Sequence, residues 1–250
     1  VNIVLLGHDD APSLYALSLL MQRAPAHDYG CFLSGQVGGA PVHPALARLA
    51  AVDHELCRRL RADPAFPDAL AAAEDLPAPN SPEGLDRLAA AAPDLVVSIR
   101  YRRILRDGAI AIPAHGVLNL HSGILPDYKG VMATFWAMLA GEPGIGCTLH
   151  RIVDAGIDTG PVIGIARHPV DPDGSYLANL LAMYPAGVAM MAGAIEVLAA
   201  GRSLETVPQA GATGNYFSAP DAAAVDRFLA AELVLARDSD AGTALNLAGG

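Results

Sequence analysis

The segment Asn119-Leu120-His121-Ser122-Gly123-Ile124-Leu125-Pro126 places an amide and an imidazole two residues apart. On a strand, that spacing points both side chains to one face. A neutral amide N–H beside an imidazole suits the stabilisation of an oxyanion as an acyl carbon becomes tetrahedral. An imidazole that donates needs a partner that orients it and favours its charged form, and a carboxylate does both. Asp158, in Asp154-Ala155-Gly156-Ile157-Asp158-Thr159-Gly160, is the candidate, because its glycine-bearing loop can approach a ligand closely. Each residue also has a plainer reading. A histidine ending a strand is commonly a hydrogen-bonded structural residue, and aspartate before Thr-Gly is common turn chemistry.

Other reactive side chains lie nearby. His150 shares a strand face with Thr148 and Ile152, and either contacts a substrate or satisfies a core hydrogen bond. Cys147 falls on the opposite face, where a core thiol is expected rather than a nucleophile. Lys129 has the charge to meet an anionic substrate, against the default of a solvated lysine. Trp136 reads as helix packing. His8-Asp9-Asp10 follows the first apolar run and either reads an amine through His8 and Asp9 or forms a solvated turn. Cys31, Cys57 and Cys147 show neither CxxC pairing nor metal-like spacing, so no metal is expected.

These side chains depend on the elements that carry them. Asn2 to Leu6 reads as a buried strand, Ala11 to Arg23 as a helix and Tyr29 to Ser34 as a second strand. Gly35 to Pro44 reads as a loop, Ala45 to Arg61 as a helix, and the five-proline stretch Pro64 to Pro82 as a long surface connection. A helix over Pro82 to Ala91 and a strand over Asp94 to Ile99 follow, then a helical turn over Ile104 to Asp107. Gly116 to His121 is a strand, Gly123 to Gly130 a loop and Val131 to Ala140 a helix. Ile145 to Val153 and Pro161 to Ile165 read as paired strands around the Asp158 loop. A long helix capped by Ser175 runs to about Leu198. This alternation predicts an α/β fold, a Rossmann-like and mainly parallel sheet with helices on both faces. In such sheets ligands sit at the carboxyl ends of strands, so Asn119, His121 and Asp158 should share one crevice. Arg237 to Gly250 lacks apolar periodicity and reads as a mobile tail.

Composition bounds the partners. The 250 residues carry a net charge of −10, with 52% hydrophobic and 17% charged residues, and the mean hydropathy is +0.34. Arg100-Tyr101-Arg102-Arg103 and the arginines at 58, 59 and 61 are too short to form a nucleic-acid groove. A small metabolite is therefore favoured over nucleic acid. Tyr176 to Ala200 is long enough to span a bilayer, but it is Ala/Gly-rich, contains Pro185 and lacks flanking aromatic and basic belts. A packed core helix or a homodimer interface fits it better than a membrane span. An odd cysteine count and an N-terminus without signal-peptide features suggest a cytoplasmic setting.

Taken in order and spacing, Asn119-x-His121, Leu125-Pro126, Tyr128-Lys129-Gly130, Gly146-x-Thr148-x-His150 and Asp154 to Gly160 resemble the folate-dependent formyltransferase family. That family includes glycinamide ribonucleotide, methionyl-tRNA and sugar N-formyltransferases. The resemblance is strong from Asp94 to Ile165 and weaker from residue 1 and through the helix ending near Leu198. It implies a formyltransferase fold over residues 1–200, with 201–250 as a C-terminal extension. It also implies an enzyme that takes a formyl group from 10-formyltetrahydrofolate, with Asn119, His121 and Asp158 as the catalytic set. Arg102, Arg103, Ile104 and Leu105, and the loop bearing Val153, Asp154, Ala155 and Ile157, match the segments that wrap the pterin. Where the family often reads His-Pro-Ser, this chain has His121-Ser122-Gly123, which should loosen the backbone after the histidine.

The acceptor is narrowed by exclusion. Gly7-His8-Asp9-Asp10-Ala11-Pro12-Ser13 replaces the Gly/Ser/Asn-rich loop by which glycinamide ribonucleotide enzymes cradle a phosphate; its carboxylates repel phosphate and Pro12 removes a donor. The tRNA enzymes usually carry a further RNA-binding domain, for which residues 201–250 of an acidic chain leave little room. A primary amine or hydroxylamine of a small metabolite is the expectation, and Asn215 to Pro220 resembles a Tyr-x-x-x-Pro segment of formyltransferases acting on such substrates. One rival is a hydrolase that releases formate from the same donor. Such hydrolases commonly carry an N-terminal regulatory domain, whereas this chain opens on a strand. The other rival is a nucleotide-binding module, against which stands the absence of GxGxxG.

Overall fold

The computed structural model describes residues 1–35, 39, 42–209, 214–240 and 242. The chain opens with β1 (Asn2–His8), α1 (Ala11–Arg23), β2 (Asp28–Ser34), α2 (Pro44–Ala62), α3 (Asp68–Ala71) and α4 (Pro82–Ala90). Next come β3 (Leu95–Ile99), α5 (Asp107–Ile110), β4 (Val117–His121), β5 (Tyr128–Gly130) and α6 (Ala133–Leu139). The hairpin β6 (Gly144–Ile152) and β7 (Val162–Pro169) leads to α7 (Tyr176–Ala199), β8 (Asn215–Phe217) and α8 (Ala222–Ala230).

Six strands form one sheet in the order β2-β1-β3-β4-β6-β7. β2, β1, β3 and β4 run parallel, while β6 is antiparallel to β4 and β7 to β6. Strands buried on both faces explain the near-continuous apolar runs. In β1, Ile3 and Leu5 enter the larger core cluster, with residues of α1, α2, α6, α7 and α8. Val4 and Leu6 enter a smaller cluster on the other face, with Leu88 of α4 and Ala109 of α5. Helices therefore cover both faces.

The helix starts follow from capping. Asp10 accepts from Ser13 N at 2.9 Å, Ser81 from Gly84 N at 3.1 Å, and Ser175 from Ala178 N at 2.9 Å. The apolar α7 passes a length-and-composition test for a membrane span. Here it packs on α1, β6 and β7 instead. Gly187 allows a close approach, since a Cβ there would stand 2.7 Å from Cys147 Cβ.

Several expectations need correction. The stretch from Pro64 to Pro82 contains α3, and Leu70 and Leu76 are buried; their apolar area draws the connection onto the core, with Glu74 bridging Phe32 of β2. The helical turn expected over Ile104 to Asp107 begins only at Asp107. Asn80 takes the backbone groups that a helix would use, donating to Ile104 O at 2.8 Å and accepting from Arg106 N at 2.8 Å. The expected loop up to Gly130 ends in β5, which pairs in parallel with β8. α6 starts at Ala133 rather than Val131, because Met132 has a φ of 54°. The expected tail is packed at its start: Asp240 is buried and accepts from Ser175 Oγ and Arg237 N, both at 2.7 Å. Of the loop Gly35 to Pro44, residues 36–38, 40 and 41 lie outside the described residues, as do 241 and 243–250 of the tail.

Candidate active site

Asn119 and His121 reach the site because β4 alternates. Leu118 and Leu120 enter the larger core cluster and Val117 the smaller, so residues 117, 119 and 121 share the second face. Register sets their neighbours: Asn119 lies opposite His150 and His121 opposite Thr148. Asn119 Nδ2 stands 3.0 Å from His150 Nε2. His150 Nδ1 faces the carbonyl of Arg151 at 3.0 Å, so in the neutral ring Nδ1 donates there and Nε2 accepts from the amide.

Asp158 comes to the same place from the loop between β6 and β7. Its φ of 54° is left-handed, unusual for a residue with a side chain. Its Oδ1 lies 3.4 Å from His121 Nδ1 and 3.5 Å from His150 Nε2, and its Oδ2 accepts from Gly130 N at 2.8 Å. Burial pushes this carboxyl upward. The nearby imidazoles of His121 and His150 and the N–H of Gly130 outweigh burial and hold it at about 2.

His121 Nε2 donates to the carbonyl of Tyr128 at 2.7 Å. An acceptor thus stands before each ring nitrogen, Tyr128 O at Nε2 and Asp158 Oδ1 at Nδ1. Gly123 makes this possible, since a Cβ there would stand 2.6 Å from both His121 Nε2 and Tyr128 O. The Ser122-Gly123 departure thus supplies room for the histidine's anchor.

Asn119, His121 and Asp158 line a cleft of about 340 Å³ with Arg100 to Ile104, Met132, Ile157 and Tyr216 among its walls. Ile104 is 49% exposed and Ile157 40%. Arg100 has a φ of 61° and pairs with Asp10 through Nη2–Oδ2 at 2.6 Å. Burial works against charge in both partners, yet each holds the other ionised: the Asp10 carboxyl is lowered and the Arg100 guanidinium raised.

Of the residues matched to the pterin-wrapping segments, Arg102, Arg103, Ile104 and Ile157 line the cleft, and Leu105, Val153, Asp154 and Ala155 do not. Leu105 is buried in the smaller core cluster. Val153 to Ala155 are exposed, and Asp154 closes a turn by accepting from Gly156 N at 2.7 Å. The candidate substrate contacts also divide. His150 stands behind Asn119 and Asp158. His8 is buried with Nδ1 2.7 Å from Ser34 O, and Asp9 pairs with Arg61 at 2.6 Å. Lys129 is buried in β5, unlike a solvated surface lysine. None of these four appears in the cleft wall. Cys147 is wholly buried, and burial pushes its thiol up to about 12, which removes it as a nucleophile. Trp136 packs as expected, stacked on Phe217 at 5.2 Å. Among the described residues no His/Cys/Asp/Glu group is arranged to hold a metal.

Arg100 escaped the sequence reading as a cleft residue, although its place just beyond β3 was a usable signal. Tyr216 enters the wall through the pairing of Lys129 with Tyr216, which no local pattern announces.

Known proteins resemble this chain both in sequence and in fold. The family model described as formyl transferase matches residues 53–180, just over half of the chain. A methionyl-tRNA formyltransferase of Mycobacterium avium is 36% identical over 149 residues, which are 56% of this chain and 47% of that protein. The chain thus spans about half the length of the curated relatives it matches. Glycinamide ribonucleotide transformylase 1 of Symbiobacterium toebii superposes with a TM-score of 0.60 at 20% identity, covering 83% of this chain and 94% of that one. An N-formyltransferase of Helicobacter canadensis, solved with folinic acid and dTDP-3-aminofucose, gives 0.55 at 20% identity, covering 87% and 71%. At such identities the structures speak for the fold, and the sequence match through β3, β4 and the Asp158 loop settles the family: this chain belongs to the formyl transferases.

Proposed function

We propose that this chain transfers a formyl group from 10-formyltetrahydrofolate to the primary amine or hydroxylamine of a small metabolite. The observation that carries this reading is the convergence of Asn119, His121 and Asp158 on one cleft wall. The cleft suits a planar donor, because the exposed side chains of Ile104, Ile157 and Tyr216 would be covered by one. Arg102 and Arg103 lie beside them. When bound, the donor supplies an electrophilic formyl carbon.

The protein's part is to stabilise charge and direct protons. One N–H of Asn119 Nδ2 is spent on His150, leaving the second for the formyl oxygen as it gains charge. His121 Nε2 is spent on Tyr128, so Nδ1 is the nitrogen that can turn to the same oxygen. Its 3.4 Å separation from Asp158 is too long for a strong competing bond. Asp158, held at about 2, remains anionic at neutral pH. It orients His121 and relays the proton lost by the attacking nitrogen, which ends on the departing tetrahydrofolate nitrogen as the donor's formyl C–N bond breaks and the new one to the acceptor forms. The three buried thiols fit a reducing, cytoplasmic setting.

Methionyl-tRNA as acceptor is a second reading, favoured by the methionyl-tRNA formyltransferase that is 36% identical to part of this chain. The net charge of −10 weighs against it. The test incubates the protein with 10-formyltetrahydrofolate and a panel of amines, amino sugars, amino acids and methionyl-tRNA, with formylated product read by mass spectrometry. Transfer to a small amine is expected, with Asn119→Ala lowering turnover by about 10²–10³. Formate release without any amine, as fast as the best transfer, would assign a hydrolase instead.

A further inference from the structure

Gln209 lies in the segment after α7, outside the stretch matched by the family model. Its side-chain Nε2 donates to the carbonyl of Asp158 at 2.9 Å and to that of Gly160 at 2.8 Å. The two acceptors flank Thr159, so one amide group ties together both ends of the turn. Two carbonyls require the NH₂ end of the side chain, which fixes the amide's orientation. Val207 delivers Gln209 to this place by exchanging both backbone hydrogen bonds with Val162 at the start of β7, at 2.8 and 2.7 Å.

The turn held in this way is the one in which Asp158 has a φ of 54°. Aspartate enters that region more readily than most residues with a side chain, and the conformation persists where the surroundings hold it. The direction of the Asp158 side chain depends on that backbone. One Oδ1 stands at 3.4 and 3.5 Å from the two histidines, and a small rotation of the loop would carry it beyond reach of both. Gly130 N holds the carboxylate itself, so Gln209 and Gly130 grip the same residue at backbone and side chain.

We infer that Gln209 is a positioning residue for Asp158, its amide locking the left-handed turn that keeps the carboxylate facing His121 and His150. The inference rests on the proposed function for its kinetic consequence but not for its geometry.

Two variants test it. Gln209→Met keeps the length and loses the donors, and Gln209→Glu keeps the shape but turns an acceptor toward two carbonyls. With folding checked by urea denaturation, kcat is expected to fall about 10–100-fold with little change in KM for the donor. The Asp158 carboxyl, followed by carbon NMR of labelled protein, should take up its proton at higher pH in both variants than in the wild type. A fall in kcat with the Asp158 titration unmoved, or no change in either, overturns the inference. If the wild type transfers no formyl group yet the titration moves in the variants, the proposed function fails and the clamp stands.

Discussion

Asp158 sits where three groups prefer it charged: the imidazoles of His121 and His150 and the N–H of Gly130. Its carboxyl is held at about 2, below the ordinary value of 3.8, so in acid the folded protein binds fewer protons there than the unfolded chain. Its stabilising contribution is complete above the ordinary value and is lost as pH falls through the depressed one. A shift of this size corresponds to about 2–3 kcal/mol. Unfolding free energies of wild type and Asp158→Asn, measured by urea denaturation across this window, should therefore converge as pH falls toward 2. Parallel curves would show that the carboxylate gains nothing from its neighbours. At this scale much was legible, because Asn-x-His on a strand and an Asp in a glycine-bearing loop are local facts. The place of His150 was not, since facing a substrate and backing Asn119 are the same strand position seen from two sides.

Among the elements, α7 carries the clearest packing constraint. Gly187 meets Cys147, whose Cβ and Sγ would lie 2.7 and 2.8 Å from an added Cβ, and both partners are fixed by a long helix and a central strand. Gly187→Val should therefore destabilise the fold by about 1–3 kcal/mol, read as a lower urea midpoint with an unchanged slope. A midpoint within error of wild type would mean that helix and sheet separate freely there. Apolar periodicity made the boundaries of α1 and α4 readable in advance, and the Ser175 cap did the same for α7. The short β5 was not readable, because three residues gain strand geometry only from β8, which reaches them from positions 215–217. Likewise the segment before α5 looks helical until Asn80 claims its backbone groups.

For the molecule as a whole, charge decides how it meets a substrate. Of its arginines, Arg48, Arg58, Arg59, Arg61, Arg87, Arg100 and Arg102 pair with carboxylates of the protein itself. Transfer to a small amine should then vary little between roughly 50 and 200 mM salt, whereas an acceptor held through many phosphates would lose about 10³–10⁵ in affinity over that range. Measuring KM for the acceptor at both ends separates the two cases. The main alternation of strands and helices, the Ser175 cap, the two-residue spacing of Asn119 and His121 and the acidic balance were determined by the sequence alone, because each follows from neighbouring residues. Tertiary structure alone decided that Arg100 and Tyr216 wall the cleft, that Leu105 turns into the core, and that Gln209 reaches the loop of Asp158. Those outcomes rest on pairings between distant parts of the chain, whose partners no local pattern of polarity can name.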